Sequence, residues 1–336
     1  MTGKQDGGES IAVLGAGSWG TALAIQLAGS GRRVILWGRE TDELASMRTR
    51  RENLRYLPDC PFPDSLEIED SLHAALLADE ILVVVPSHAL RDLLRAMKAT
   101  GRVPRRLAWA TKGLEPETAR LSHEVVAEEL GSIPVAVLSG PTFALEVGKG
   151  MPTAITVAGD PALADFMARA LHDRQFRAYT STDIVGVELG GSAKNVIAIG
   201  AGLSDGLGFG ANARVALITR GLAEIMRLGR AMGADTETFL GLAGVGDLVL
   251  TCTDNQSRNR RMGLALAAGK TQEQARREID QVVEGVSAAR EVHRLAERHD
   301  VEMPIVASIY QVLFENVGAR DAVVALLERG RKSETT

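Results

Sequence analysis

Between the apolar runs Ile11-Ala-Val-Leu14 and Val34-Ile-Leu-Trp37 stands Gly15-Ala-Gly-Ser-Trp-Gly20, followed by a helical stretch from Thr21 to Ala28 that stops at Gly29. A strand, a turn of G-x-G-x-x-G spacing, a helix and a second strand leave few folds open. The first N–H groups of such a helix have no partner within it, so they face whatever lies in front of the turn. Gly15 and Gly17 let the backbone approach a pyrophosphate closely, and Gly20 lets the helix pack on the strand. Glycines punctuate many turns. Here the flanking elements make the pattern specific, and it predicts dinucleotide binding.

The end of the second strand chooses between cofactors. An acidic residue there holds the ribose 2′-hydroxyl of NAD, but this chain has Trp37-Gly-Arg39. A guanidinium pairs with a 2′-phosphate where a carboxylate would repel it. Arg39 therefore points to NADP with NAD tolerated, although Glu40 follows directly and the alternative is a solvated loop charge.

Arg48 to Pro63 reads as loop. Beyond it, Ile81–Val85, Arg106–Ala110, Val135–Leu138, Ala154–Val157 and Phe176–Tyr179 read as strands, with a helix from Leu90 to Met97. Strands alternating with helices predict an α/β sheet, and ligands of such sheets bind outside the strands' carboxyl ends. Lys112, Gly140, Thr142 and Ala144 fall there. Past Thr182 the strand signal stops. Helical patterns follow over Val187–Leu203, Ala213–Gly229, Arg258–Ala268, Ser287–His299, Ile305–Phe314 and Ala322–Leu327. The expected fold is a Rossmann-type dinucleotide-binding domain, residues 1–182, and an all-α domain, residues 183–336. Two glycine-rich stretches, Gly202–Gly210 and Gly241–Asn255, read as loops. Their glycines serve either turn chemistry or close approach of backbone to a ligand.

Glu188-Leu-Gly-Gly-Ser-Ala-Lys-Asn195 carries the second chemical signal. The helical neighbours of Lys194 are Val187, Gly190, Gly191, Ile197, Ala198 and Ala201, none of them charged. Adjacent helical glycines cost about 1 kcal/mol each relative to alanine, which close approach by a ligand or another backbone would justify. Either Lys194 snorkels to water, or it sits partly desolvated in a cleft, ready to exchange a proton with a substrate oxygen. Ser257-Arg-Asn259 at a helix start offers charge, side-chain donors and backbone N–H groups to a phosphate. The plainer reading is N-capping by Ser257, with Arg260 and Arg261 as surface charges. Asp247 orients Lys194, holds a substrate hydroxyl or caps a turn.

The net charge of −5 argues against a general nucleic-acid binder. Cys60 and Cys252 are far apart and suit a reducing cytoplasm. The N-terminal ten residues are polar and have no apolar signal core. No uninterrupted apolar run reaches the roughly 18 residues of a membrane span. The histidines show no ligand spacing, so no metal is expected.

Several blocks together resemble the NAD(P)-dependent glycerol-3-phosphate dehydrogenases. They are Gly15–Ala24, Thr111–Glu115, Ser139–Val147, Gly186–Val196, Asp205-Gly-Leu-Gly, Thr219–Leu222, Gly241–Leu248 and Ser257–Asn259, in order from residue 11 to about 320. The chain departs from the bacterial pattern at Ser192-Ala193, where the family has Ala-Leu. The resemblance implies reduction of dihydroxyacetone phosphate to sn-glycerol 3-phosphate for phospholipid synthesis, by a homodimer, while charge, cysteine usage and hydropathy lead us to expect a cytoplasmic protein that binds neither nucleic acid nor membrane. It implies cofactor contacts from Ser18, Trp19, Arg39, Lys112, Ala144, Arg258, Val282 and Glu284. Substrate contacts would come from Lys112, Gly140, Thr142, Lys194, Asp247, Ser257, Arg258 and Asn259, with Lys194 as the proton-exchanging group.

The residues read by themselves converge on that chemistry. An ammonium stabilises the charge that grows on a carbonyl oxygen under hydride attack and then donates its proton. The phosphate held at Ser257–Asn259 would place the carbonyl, in a cleft between the two domains. A β-hydroxyacid dehydrogenase shares the two-domain plan and a helical lysine, but its carboxylate substrate needs no Ser-Arg-Asn site. A catalytically silent NADPH sensor would need only the first domain.

Overall fold

The computed structural model describes residues 9–327. The polar N-terminal stretch lies, through residue 8, outside the described residues. The chain divides into two compact units, one of Met1–Glu115 with Arg120–Glu188 and one of Pro116–Ala119 with Leu189–Thr336.

Among the described residues the first unit is built on ten strands: β1 Ile11–Leu14, β2 Val34–Trp37, β3 Glu52–Asn53, β4 Leu57–Pro61, β5 Leu66–Glu69, β6 Glu80–Val83, β7 Leu107–Trp109, β8 Val135–Ser139, β9 Thr153–Gly159 and β10 Phe176–Ser181. Eight of them form one sheet in the order β10-β9-β8-β7-β6-β1-β2-β5. Neighbours pair in parallel, except that β9 runs antiparallel to β8, with Leu138 opposite Val157. Ile11 pairs with Val34 on one side and Glu80 on the other. The chain thus leaves β1 first toward β2 and then returns to its other side with β6. The carboxyl ends of β1 and β6 form the topological switch point where such sheets bind ligands.

Continuous apolar runs suit the central strands, in which every residue of β1, β2, β6 and β7 is buried and both faces are therefore covered. Ile11, Val13, Leu36, Leu82, Ala108, Leu138 and Ile155 all lie in one core with Leu23 and Leu27 of the Ser18–Ala28 helix. The stretch Arg48–Pro63 is not the loop expected. Helix Thr41–Arg50 runs through its start, and β3 and β4 form a small antiparallel hairpin. Arg51, at φ 55°, ends that helix in the left-handed conformation. Pro58 and Pro61 hide the hairpin's alternation in the sequence.

The second unit is helical from Leu189 on. Helix Ile184–Gly206 opens in the first unit and continues in the second, and Gly210–Ala231, Arg258–Ala267, Glu284–Arg298 and Pro304–Phe314 follow among others. Ile184–Gly206 is long and apolar enough to cross a membrane, but most of it is buried as a core helix. Neither glycine-rich stretch is a simple loop. The helix absorbs Gly202 to Gly206. Leu242–Gly246 is a π-type turn leading into helix Asp247–Thr253, with the Gly246 N–H reaching back five residues to the Gly241 carbonyl at 3.1 Å. A β-carbon on Gly202 would lie 2.1 Å from the Arg260 carbonyl oxygen, and one on Gly263 2.0 Å from that of Ile199. These glycines let two helix backbones cross in contact, which answers the question the sequence leaves open.

Candidate active site

In the first unit, Gly15 adopts φ +128°, and a β-carbon there would sit 2.2 Å from the Val84 carbonyl oxygen just past β6. A β-carbon on Gly20 would sit 1.8 Å from the Gly15 oxygen, so Gly20 packs on the turn itself as well as beside Val84. At Gly17 the space is open, with no atom within 4 Å of such a carbon. Gly17 caps the Ser18–Ala28 helix with no side chain, which leaves the first-turn N–H groups facing that space. The Trp19 indole N–H is buried with no hydrogen-bond partner among the described residues. An open cradle at a helix N-terminus, with an orphaned donor beside it, fits the pyrophosphate end of a dinucleotide.

Asn53, invisible as a site residue in the sequence, braces this turn. Its buried carboxamide donates to the Ala16 carbonyl at 3.0 Å and the Thr21 hydroxyl at 2.8 Å. Arg39 is exposed just past β2 and makes no ion pair among the described residues. Farther along the sheet, Lys112 Nζ donates to the Gly140 carbonyl at 3.3 Å, and the Thr142 hydroxyl donates to the same oxygen at 3.2 Å. The expected residues after β7 and β8 therefore converge on one carbonyl. Ala144 opens the short Ala144–Gly148 helix and, like Trp19, packs on the core.

In the second unit Lys194 is 6% exposed, which excludes the snorkelling alternative. Its ammonium pairs with Asp247 Oδ1 and donates to the Thr251 hydroxyl at 3.0 Å. Asp247 is 1% exposed. The Thr251 hydroxyl donates in turn to the Asp247 backbone carbonyl at 2.6 Å. Thr251 gives no signal in the sequence because Gly241–Asn255 reads there as loop. As a helix it places residues 247 and 251 on one face. The neighbouring Cys252 thiol is pushed by burial up to about 12 and takes no part as a thiolate.

Asn195 and Asn259 are tied to each other. Asn259 Nδ2 donates to Asn195 Oδ1 at 2.8 Å, and Asn259 Oδ1 accepts the Gly285 N–H at 2.8 Å. The Ser257 hydroxyl caps its helix by accepting the Arg260 N–H at 3.2 Å. Part of the donor set expected for a phosphate is thus committed to structure. Arg258 makes no ion pair among the described residues, and burial, with the Arg258 charge as a smaller contribution, lowers the guanidinium pKa of Arg261. Two arginines without a carboxylate at a helix start form an anion-seeking pair, so Arg261 is more than the surface charge expected. Arg260 is no surface charge either. It is buried against Asp205 and donates to the Cys252 carbonyl at 3.1 Å. Val282 is exposed just before the Glu284–Arg298 helix, which Glu284 opens.

Among the described residues no three metal-ligating side chains cluster. The sequence profile of the NAD-dependent glycerol-3-phosphate dehydrogenase N-terminus matches residues 10–164, and that of the C-terminus matches residues 183–324. A glycerol-3-phosphate dehydrogenase [NAD(P)+] of Tolumonas auensis is 57% identical, covering 98% of this chain and 100% of the relative. One of Haemophilus ducreyi is 58% identical, covering 96% and 98%. The crystal structure of a glycerol-3-phosphate dehydrogenase from Coxiella burnetii superposes with a TM-score of 0.93 at 48% identity, covering 96% of this chain and all of that one.

Proposed function

The chain belongs to the NAD-dependent glycerol-3-phosphate dehydrogenase family, and from that premise we propose how its residues divide the work. It is an NAD(P)-dependent oxidoreductase that reduces dihydroxyacetone phosphate to sn-glycerol 3-phosphate, reversibly. The nicotinamide cofactor, when bound, supplies the hydride. Residues 1–182 act as the dinucleotide-binding domain. Gly15, Gly17, Ser18, Trp19 and Gly20 hold the pyrophosphate at the helix start, and Arg39 pairs with a 2′-phosphate, so NADP is preferred and NAD accepted.

Lys194 holds the proton that the substrate oxygen receives. The ammonium stabilises negative charge on that oxygen as the carbonyl is reduced, then donates the proton to it. Asp247 and Thr251 fix the amine's direction, and Lys112 adds a second positive group. Arg258, with Ser257 and Asn259, takes the substrate phosphate. The β-hydroxyacid dehydrogenase reading gives no role to the Arg258–Arg261 cation pair. The enzyme acts in the cytoplasm as a homodimer, supplying phospholipid backbone.

The observation that carries this reading is the buried Lys194–Asp247 pair braced by Thr251. The test is NADPH consumption with dihydroxyacetone phosphate, against NADH and against a carboxylate keto-substrate. Lys194→Met should cut turnover by about a hundredfold or more and leave NADPH affinity nearly unchanged. A large loss of cofactor affinity, or turnover on the carboxylate substrate alone, would contradict the assignment.

A further inference from the structure

Glu188 lies on the helical face of Asn195, seven residues earlier, yet its carboxylate serves a different group. It is 6% exposed. Its Oε1 accepts the Trp109 indole N–H at 3.0 Å and the His123 backbone N–H at 3.1 Å, and its Oε2 lies 2.6 Å from His123 Nδ1. Trp109 ends β7, and His123 lies in the first turn of helix Ser122–Leu130. One carboxylate therefore fastens both ends of the segment 110–122, from which Lys112 rises. The segment is pinned near the same base by the Thr111 hydroxyl on the Val85 carbonyl at 2.8 Å. The Glu115 N–H on the Arg120 carbonyl at 2.9 Å narrows its neck.

We propose that Glu188 is a positioning residue for Lys112, holding the base of its segment through a proton-sharing pair with His123. The inference rests on the role given to Lys112 above. A positioned cation loses most of its effect when displaced by about 1 Å, so a carboxylate that fixes both strand end and helix start governs catalysis without touching substrate. Burial pushes the Glu188 carboxyl up, and the His123 bonds oppose that. Burial alone would lower His123, but the Glu188 carboxylate more than offsets it and the imidazole titrates above its usual range. The charge of Glu124 also acts on His123, in the same direction. Loss of the shared proton leaves Glu188 a buried anion facing a neutral ring, and the clamp weakens.

Glu188→Gln keeps an acceptor for Trp109 but removes the charge, and His123→Asn puts an uncharged amide N–H donor near the place of Nδ1. With wild-type enzyme, the Trp109 indole N–H resonance and kcat/KM should change together as pH rises through the His123 titration. Both variants should lose that shared pH step, with kcat/KM down about ten- to hundredfold and NADPH affinity, to which Lys112 is one contact among many, reduced by less. Because Glu188→Gln risks misfolding, circular dichroism on both variants accompanies the kinetics, and His123→Asn alone suffices to decide the matter. If His123→Asn keeps the wild-type pH profile and kcat/KM while Lys112→Ala loses turnover, the clamp is wrong and the role of Lys112 stands. If Lys112→Ala turns over like wild type, both fall.

Discussion

Gly190 faces Ala243 so closely that a β-carbon on the glycine would lie 2.5 Å from the alanine's carbonyl oxygen. This contact sets the π-type turn Leu242–Gly246 against the lysine helix, and the next residue, Asp247, reaches Lys194 from there. The helical glycine cost thus serves backbone contact within the protein. Gly244 makes the same turn possible at φ −103° and ψ −105°, where a β-carbon would lie 2.1 Å from the Phe239 carbonyl oxygen.

Gly190→Ala should therefore push the turn away and uncouple Asp247 from Lys194. We expect a stability loss of about 1–3 kcal/mol, the usual result of overpacking, and a fall in kcat larger than any change in NADPH affinity. Denaturant melts beside steady-state kinetics check this. An unaltered kcat would mean the pair tolerates the displacement.

Asp247→Asn removes the counter-charge of a buried ammonium. Breaking one side of such a pair costs about 3–5 kcal/mol, whereas replacing both partners by apolar groups is far milder. The double variant Lys194→Met/Asp247→Leu should thus be more stable than Asp247→Asn alone, though inactive. Urea midpoints of the two variants and the wild type decide it. Equal destabilisation by both variants would show that packing around the pair matters more than its charges.

Arg39→Ala should weaken NADPH and spare NADH. A hydrogen bond to a charged group is worth about 1.5–3 kcal/mol, so KM for NADPH should rise about ten- to hundredfold. Matched losses for the two cofactors would remove the 2′-phosphate argument.

The His123–Glu188 pair predicts how stability changes with pH. The folded-state pKa of His123 lies above its usual 6.5, so its contribution is complete below that value and is lost as pH rises through the folded pKa. Glu188, raised by burial, acts with the same sign from above its usual 4.5. Thermal melts from pH 6 upward should show wild type losing stability relative to His123→Asn. A constant difference between the two across that range would exclude the linkage.

The features legible in the sequence are local ones. The glycine turn between two apolar strands, the small-residue helix around Lys194 and the helix start at Ser257 all follow from period, propensity and turn chemistry within about 20 residues. Where it misled, local signals conflicted: Pro58 and Pro61 hid a hairpin, and dense glycine hid the Asp247–Thr253 helix with Thr251 on it. The sequence offered Asp247 as one possible orienter of Lys194, and the fold selected it and the other long-range polar partners. Lys194 and Asp247 are 53 residues apart, Glu188 and Trp109 79, and Asn195 and Asn259 64. Buried polar groups must be satisfied, but any of several residues would serve. In the second unit the fold chooses among them partly by where it lets two backbones touch, at glycines 190, 202 and 263.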